Sequence, residues 1–123
     1  MDKVNLAQKF STFSDHYQPK IAGELNDSYV KLVKFQGPFV WHHHEVEDEL
    51  FFVVKGSFRM LLKEDGGERE IRVGEGEFLI MPHGVEHKPV ADEEVWVMLL
   101  EPKTTLNTGN LRNERTVETL GRV

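Results

Sequence analysis

The stretch GPFVWHHHEVEDELFFVVKG, Gly37 to Gly56, sets three consecutive histidines between an apolar run and a group of acids, with a second apolar run and a glycine behind them. In an extended strand successive side chains point to opposite faces. His42 and His44 therefore share one face, and His43 shares the other with Trp41. Same-face neighbours on a strand lie about 7 Å apart, close enough for two imidazoles to reach one metal ion. His43 is expected on the outer face or at a subunit interface. Glu45, Glu47 and Asp48 read as solvated charges in a turn. Glu49 differs because it opens the apolar run ELFFVVK. A carboxylate that faces a core must be paired or metal-bound to offset its desolvation, and two histidines stand on the preceding strand. Metal binding is the economical reading.

The same pattern extends along the chain. IAGEL and SYVKLVKF flank the turn pair Asn26-Asp27, and PFVWHHH, ELFFVVK, SFRMLLK, REIRV, EFLIM and EVWVMLLE follow. Gly56, Asp65-Gly66-Gly67, Gly74-Glu75-Gly76, Pro82-His83-Gly84 and the polar Ala91-Asp92-Glu93-Glu94 separate them as turns. Short β-rich runs with turn signals between them predict an all-β sandwich or barrel. A short helix is expected after Asn5, an N-cap with Gln8 three residues later. A second is expected between Asn113 and Gly121.

With 123 residues the chain is read as one domain, residues 1–123, long enough for a single core. Charged residues make up 29% and hydrophobic residues 39%, an ordinary soluble balance. A net charge of −6 without any basic block argues against nucleic acid as a partner. The absence of cysteine excludes disulfides and thiolate metal sites. No apolar run approaches membrane-spanning length and MDKVNLAQKF lacks a signal-peptide core, so no membrane partner and a cytoplasmic location are expected. The acceptor pattern NDS at Asn26 carries no weight without a secretory signal.

Gly37, four residues, His42-x-His44, four residues, Glu49, six residues and Gly56 together resemble the first motif of the cupin superfamily. GEFLIMPHGVEH resembles the second, with Gly76, Pro82-x-Gly84 and His87, although Ala91 stands where that motif usually has asparagine. Nineteen residues separate the motifs, which together span about two-fifths of the chain. With MPHGVEHKPVA and EPKTTLNTG, the chain is similar to small single-domain bacterial cupins. The resemblance implies a jelly-roll β-barrel with its core at about residues 21–101. It also implies a divalent metal ion (iron, manganese, nickel or zinc) held by His42, His44, Glu49 and His87. Three imidazoles and a carboxylate suit such borderline ions.

An ion with those ligands carries one net positive charge and, in octahedral geometry, keeps two positions for water or a small oxygen-donor ligand. Val40, Phe51 and Val53 are in phase with the ligands as pocket wall, joined by Phe78 and Ile80 or by Leu79 and Met81. Tyr29, Lys31 and Arg59 are the nearest candidates for a second acid or base, though each reads first as an exposed strand residue. His16 and His83 read as surface histidines. Three functions stay open: a metal-dependent oxygenase or isomerase, a non-catalytic metal-dependent binding or sensing module, and a metal-stabilised barrel packed shut. The isomerase reading is the weaker enzymatic one, because the phosphomannose isomerases show Gln-x-His where this chain has His42-x-His44, and no phosphate cradle is visible. Phe39, Trp41, Leu50, Phe52 and Val54, out of phase with the ligands, form an apolar row that predicts a homodimer.

Overall fold

The computed structural model describes residues 1–123. One helix, α1 (Leu6–Phe10), precedes eight strands: β1 (Lys20–Leu25), β2 (Ser28–Pro38), β3 (Glu49–Lys55), β4 (Ser57–Glu64), β5 (Gly67–Gly74), β6 (Phe78–Met81), β7 (Glu86–Pro102) and β8 (Gly121–Arg122). The fold is all-β and jelly-roll-like. Strands follow one another in the order β5-β4-β7-β2-β1-β8, and β3 joins through β7 and pairs β6 on its other side.

β7 is the spine. Its first part pairs β4, from Arg59 opposite Val90 to Lys63 opposite Glu86. Its second part lies between β2 and β3, with Val33 and Val53 both opposite Val97. The polar Ala91-Asp92-Glu93-Glu94, expected as a turn, lies inside this continuous strand. Asp92, Glu93 and Glu94 are exposed, Ala91 is buried, and the register against β2 shifts between Phe35 and Gly37. The strand thus changes partners at this stretch without breaking, and its polarity reports exposure rather than a turn.

The expected strand PFVWHHH is shorter than its sequence suggests. β2 stops at Pro38, which has no backbone N–H for a ladder. Beyond it the chain stays extended and holds to β7 by separate bonds. Phe39 N donates to the Pro89 carbonyl at 2.9 Å, and His42 exchanges bonds of 3.0 and 2.8 Å with His87.

The core gathers Val33, Phe35, Phe51, Val53, Phe58, Met60, Leu62, Val95, Val97 and Leu99, the inward residues of β2, β3, β4 and β7. The N-terminal segment covers part of the outer surface. Asn5 caps α1 as expected, accepting from the Gln8 N–H at 2.9 Å. Phe10 at the helix end is fully buried and stacks on Trp96 with ring centres 4.9 Å apart. Burying such a ring stabilises the fold by about 2–3 kcal/mol.

The C-terminal helix expected after Asn113 does not form; residues 113–120 are turns, bends and irregular chain leading into β8. Asn113 does start a turn, accepting from the Arg115 N–H through Oδ1 at 2.8 Å. Propagation then fails because Asn107 takes the groups a helix would use. It bonds the Arg115 carbonyl at 2.8 Å and the Val117 N–H at 2.8 Å.

Candidate metal centre

His42 and His44 are buried, whereas the His43 side chain keeps 23% of its surface in water. The alternation read from the sequence survives without a regular strand, because extended dihedrals alone turn successive side chains to opposite sides. Glu49 enters from the start of β3 and His87 from β7, both buried. The mutual backbone bonds of His42 and His87 hold their rings side by side.

Backbone carbonyls settle which nitrogen each ring presents. Nδ1 of His42 donates to the Val40 carbonyl at 2.9 Å, and Nδ1 of His87 to the Val85 carbonyl at 2.8 Å. A carbonyl only accepts, so both protons sit on Nδ1 and both Nε2 atoms present lone pairs. One ligand atom from each of His42, His44, Glu49 and His87 lies within 4.8 Å of all the others. Glu49 Oε1 is 2.8 Å from His44 Nε2 and 3.4 Å from His87 Nε2, yet none of these three buried atoms has a hydrogen-bond partner. Donors about 2.1 Å from one ion, at right angles to each other, lie about 3 Å apart. The four residues fit a divalent ion.

The charges agree. Burial first, and then the His87 ring, push the His42 pKa down to about 3, which keeps the imidazole neutral as a ligand must be. Burial pushes the Glu49 carboxyl up, but hydrogen bonding with Glu101, His44 and His87 outweighs it and holds Glu49 well below the ordinary carboxylate range. Burial and then the Glu49 charge raise Glu101 well above that range, with Lys31 opposing. The two carboxyls therefore keep one proton between them, on Glu101.

A cavity of about 30 Å³ adjoins the group, walled by Tyr17, Phe35, Phe39, Phe51, His42, Glu49 and Glu101 among others. It admits about two water-sized atoms. Of the expected wall residues Phe51 lines it, while Val40 and Val53 belong to the core around it. On β6 the inward pair is Leu79 and Met81, and Phe78 and Ile80 are exposed. Phe39, expected on the outer row, is buried and stacks on Tyr17 with ring centres 4.6 Å apart. The irregular chain after Pro38 and the covering Tyr17 segment bring it inside. Tyr17 donates to the Gly37 carbonyl at 2.6 Å, and burial pushes its hydroxyl pKa up, with Arg115 opposing.

Lys31 is buried rather than exposed, and its ammonium bonds Glu101 Oε1 at 2.8 Å. Tyr29 is half-buried, and Arg59 is tied to Asp92 and Glu70 at the surface. Sequence reasoning passed over Glu101 and Tyr17. Glu101 carried a signal, since it is in phase with the inward Val95, Val97 and Leu99. Tyr17 lies in an irregular segment that shows no periodicity. His43 bonds Glu86 at 3.1 Å and Glu45 at 2.7 Å, while His83 bonds Asp48 and His16 bonds Glu94, all outside the group. The segment after β7 closes over the histidines. Asn110 N donates to the His43 carbonyl at 3.0 Å, and its Oδ1 accepts from the His43 N–H at 2.9 Å. Gly109 there has φ +57, and a Cβ on it would stand 2.2 Å from the His43 carbonyl oxygen.

Comparison with known proteins points one way. The family profile described as cupin domain matches residues 31–101. A solved cupin-2 domain containing protein from Shewanella frigidimarina is 41% identical, with a TM-score of 0.77 over 81% of this chain and 94% of that one. Uncharacterized protein YdbB of Bacillus subtilis is 34% identical over 53% of this chain and 55% of its own length. The 3-hydroxyanthranilate 3,4-dioxygenase of Xenopus tropicalis is 25% identical over 70% of this chain. The chain covers 32% of that enzyme's length, so it spans about half of one curated relative and about a third of the other.

Proposed function

We propose, from the premise that the chain belongs to the cupin domain family, that it is a metal-dependent protein acting on a small oxygen-donor ligand. In this reading residues 1–123 form one domain, and His42, His44, Glu49 and His87 hold one divalent ion. The observation that carries the proposal is the set of buried donor atoms, three of them unpartnered, gathered beside a cavity. When bound, such an ion polarises a coordinated oxygen, lowers the pKa of its proton and, if it is iron, supplies oxygen chemistry. The chain's own part is to present neutral imidazoles, to keep Glu49 ionised, and to surround the ligand with aromatic walls that exclude water.

Oxygenase is the leading enzymatic reading, since 3-hydroxyanthranilate 3,4-dioxygenase is among the relatives. The observation favouring a sensing or binding module instead is the cavity itself, whose 30 Å³ is far below the several hundred of most substrate pockets. Metal analysis of untagged protein purified without added metal comes first. Oxygen uptake by the iron-loaded protein with small diols, diketones and hydroxy acids then separates the two. Binding without turnover across the panel would decide for the module.

We also place a second copy of the chain on the outer face. Leu50, Ile80 and Leu100 lie in one register row and Phe52, Phe78 and Met98 in the next, with Phe78 61% and Ile80 53% exposed. Contiguous apolar surface of this kind marks partner sites. Sedimentation as a monomer at micromolar concentration would remove this part. No helix is long and apolar enough to cross a membrane. We keep the cytoplasm as the location.

A further inference from the structure

The barrel interior holds one polar feature that the metal reading does not use. Lys31 on β2 and Glu101 on β7 form a buried pair, Nζ donating to Oε1 at 2.8 Å, with each side chain 2% exposed. That bond occupies one carboxyl oxygen. The other, Oε2, is buried without a hydrogen-bond partner, and Glu101 stands in the wall of the cavity that His42 and Glu49 also line. Much of the remaining wall is apolar, including Val33, Phe35, Phe39, Phe51 and Leu99. A polar atom buried there unpaired costs stability until something in the cavity satisfies it. Lys31 fixes which oxygen is spoken for, and so which one is left.

We infer that Glu101, positioned by Lys31, selects the ligand by hydrogen-bonding a hydroxyl group that lies next to the ligand's metal-binding oxygen. The inference rests on the metal-site reading above and deepens it by naming a substrate class. A hydroxyl is the matching partner because it both donates and accepts, so it satisfies a carboxyl whether or not that carboxyl carries a proton. The class is a small compound with a metal-binding oxygen and a hydroxyl one or two bonds away, such as an α-hydroxy acid or a vicinal diol. The cavity of about 30 Å³ sets its size at a few heavy atoms. A compound without the hydroxyl leaves Oε2 unsatisfied, and sites built to bond a hydroxyl discriminate against such analogues.

The test compares two affinities on zinc-loaded protein by calorimetry: glycolate, which carries the hydroxyl, and acetate, which lacks it. Zinc content is measured first for every protein. Wild type should favour glycolate, partly through chelation of the metal and partly through Glu101. Replacing the pair together, Lys31→Met with Glu101→Leu, removes the second part and leaves no buried partner stranded, so the fold is kept. In that protein the glycolate-to-acetate ratio should fall about tenfold or more. Glu101→Gln keeps a hydrogen-bonding group and should retain most of the ratio. Lys31→Met alone should lower the ratio while leaving acetate affinity in place, which a purely structural lysine would not do. A ratio unchanged in the double variant overturns the inference. Zinc-loaded wild type that binds the two probes alike, or binds neither, overturns it as well while the metal reading stands. Wild type that takes up no zinc overturns both.

Discussion

Glu49 and Leu50 are neighbours on β3, as Glu101 and Leu100 are on β7, and each pair divides in the same way, carboxyl inward and leucine outward. Along these strands the charge is inside and much of the grease is outside. Neither arrangement is comfortable for an isolated chain. Buried carboxyls require partners, and the inner region supplies them through His44, His87 and Lys31. Exposed apolar rows invite a partner from elsewhere. The two faces of one sheet thus point to two kinds of binding, a small polar guest within and a large apolar neighbour without.

The strongest way to break this contrast is to empty the inner region. Alanine at His42, His44, Glu49 or His87 should each lower metal affinity by more than about 100-fold, since even supporting residues around a metal typically cost 10–100-fold. His43→Ala, on the outer side of the same tripeptide, should leave metal content unchanged. Elemental analysis with calorimetry reads both, and full occupancy in His44→Ala would sink the assignment.

Acid should act on the two sides with opposite sign. Unfolded, His42 titrates near 6.5; folded, burial and His87 hold it at about 3. Between those values the unfolded chain binds a proton that the folded chain refuses. The metal-free protein should therefore be fully stable in this respect above about pH 6.5 and lose up to about 5 kcal/mol by pH 3. His43 runs the other way. Hydrogen bonds to Glu45 and then Glu86 raise its pKa, so its small contribution is present below 6.5 and fades as the pH rises through the folded value. Urea titrations across pH on wild type and His42→Gln check the first. A wild-type curve that stays flat from pH 7 to 4 contradicts it.

The Lys31–Glu101 pair sharpens the comparison. Lys31→Met alone leaves a buried carboxyl without its partner and should cost about 3–5 kcal/mol. The double change to Met and Leu extends the apolar core and should be near neutral by the same unfolding measurement. On the outer face the effect on folding is smallest. Phe78→Ser, at a position 61% exposed, should change monomer stability by less than about 0.5 kcal/mol. Its effect should appear in sedimentation, as a weaker dimer.

How far the chain could be read in advance depends on which residues carried local information. The His42-x-His44 alternation was legible because it needs only extended backbone, and that persists where the ladder lapses after Pro38. The cupin fold was legible because glycines at turns and ligands at strand ends stand at fixed spacings. Ala91 to Glu94 misled because local polarity cannot distinguish a turn from an exposed stretch of long strand. Asn113 misled because Asn107, six residues earlier, intercepts the groups a helix would need. Phe39 misled because the aromatic ring that covers it, Tyr17, arrives from a segment 22 residues away. Contacts made at a distance leave no trace in a window of ten residues.

The closure of the segment after β7 over the histidines has a kinetic consequence. The amide of His42 is bonded to His87, within the strand framework, whereas the amide of His43 is bonded to the Asn110 side chain. Hydrogen exchange at His42 should await opening of the barrel, and exchange at His43 needs only the release of that one loop. Adjacent protons on one tripeptide would then keep different clocks. Gly109 sets the faster one, since any side chain at that position would press on the His43 carbonyl and lift the loop away.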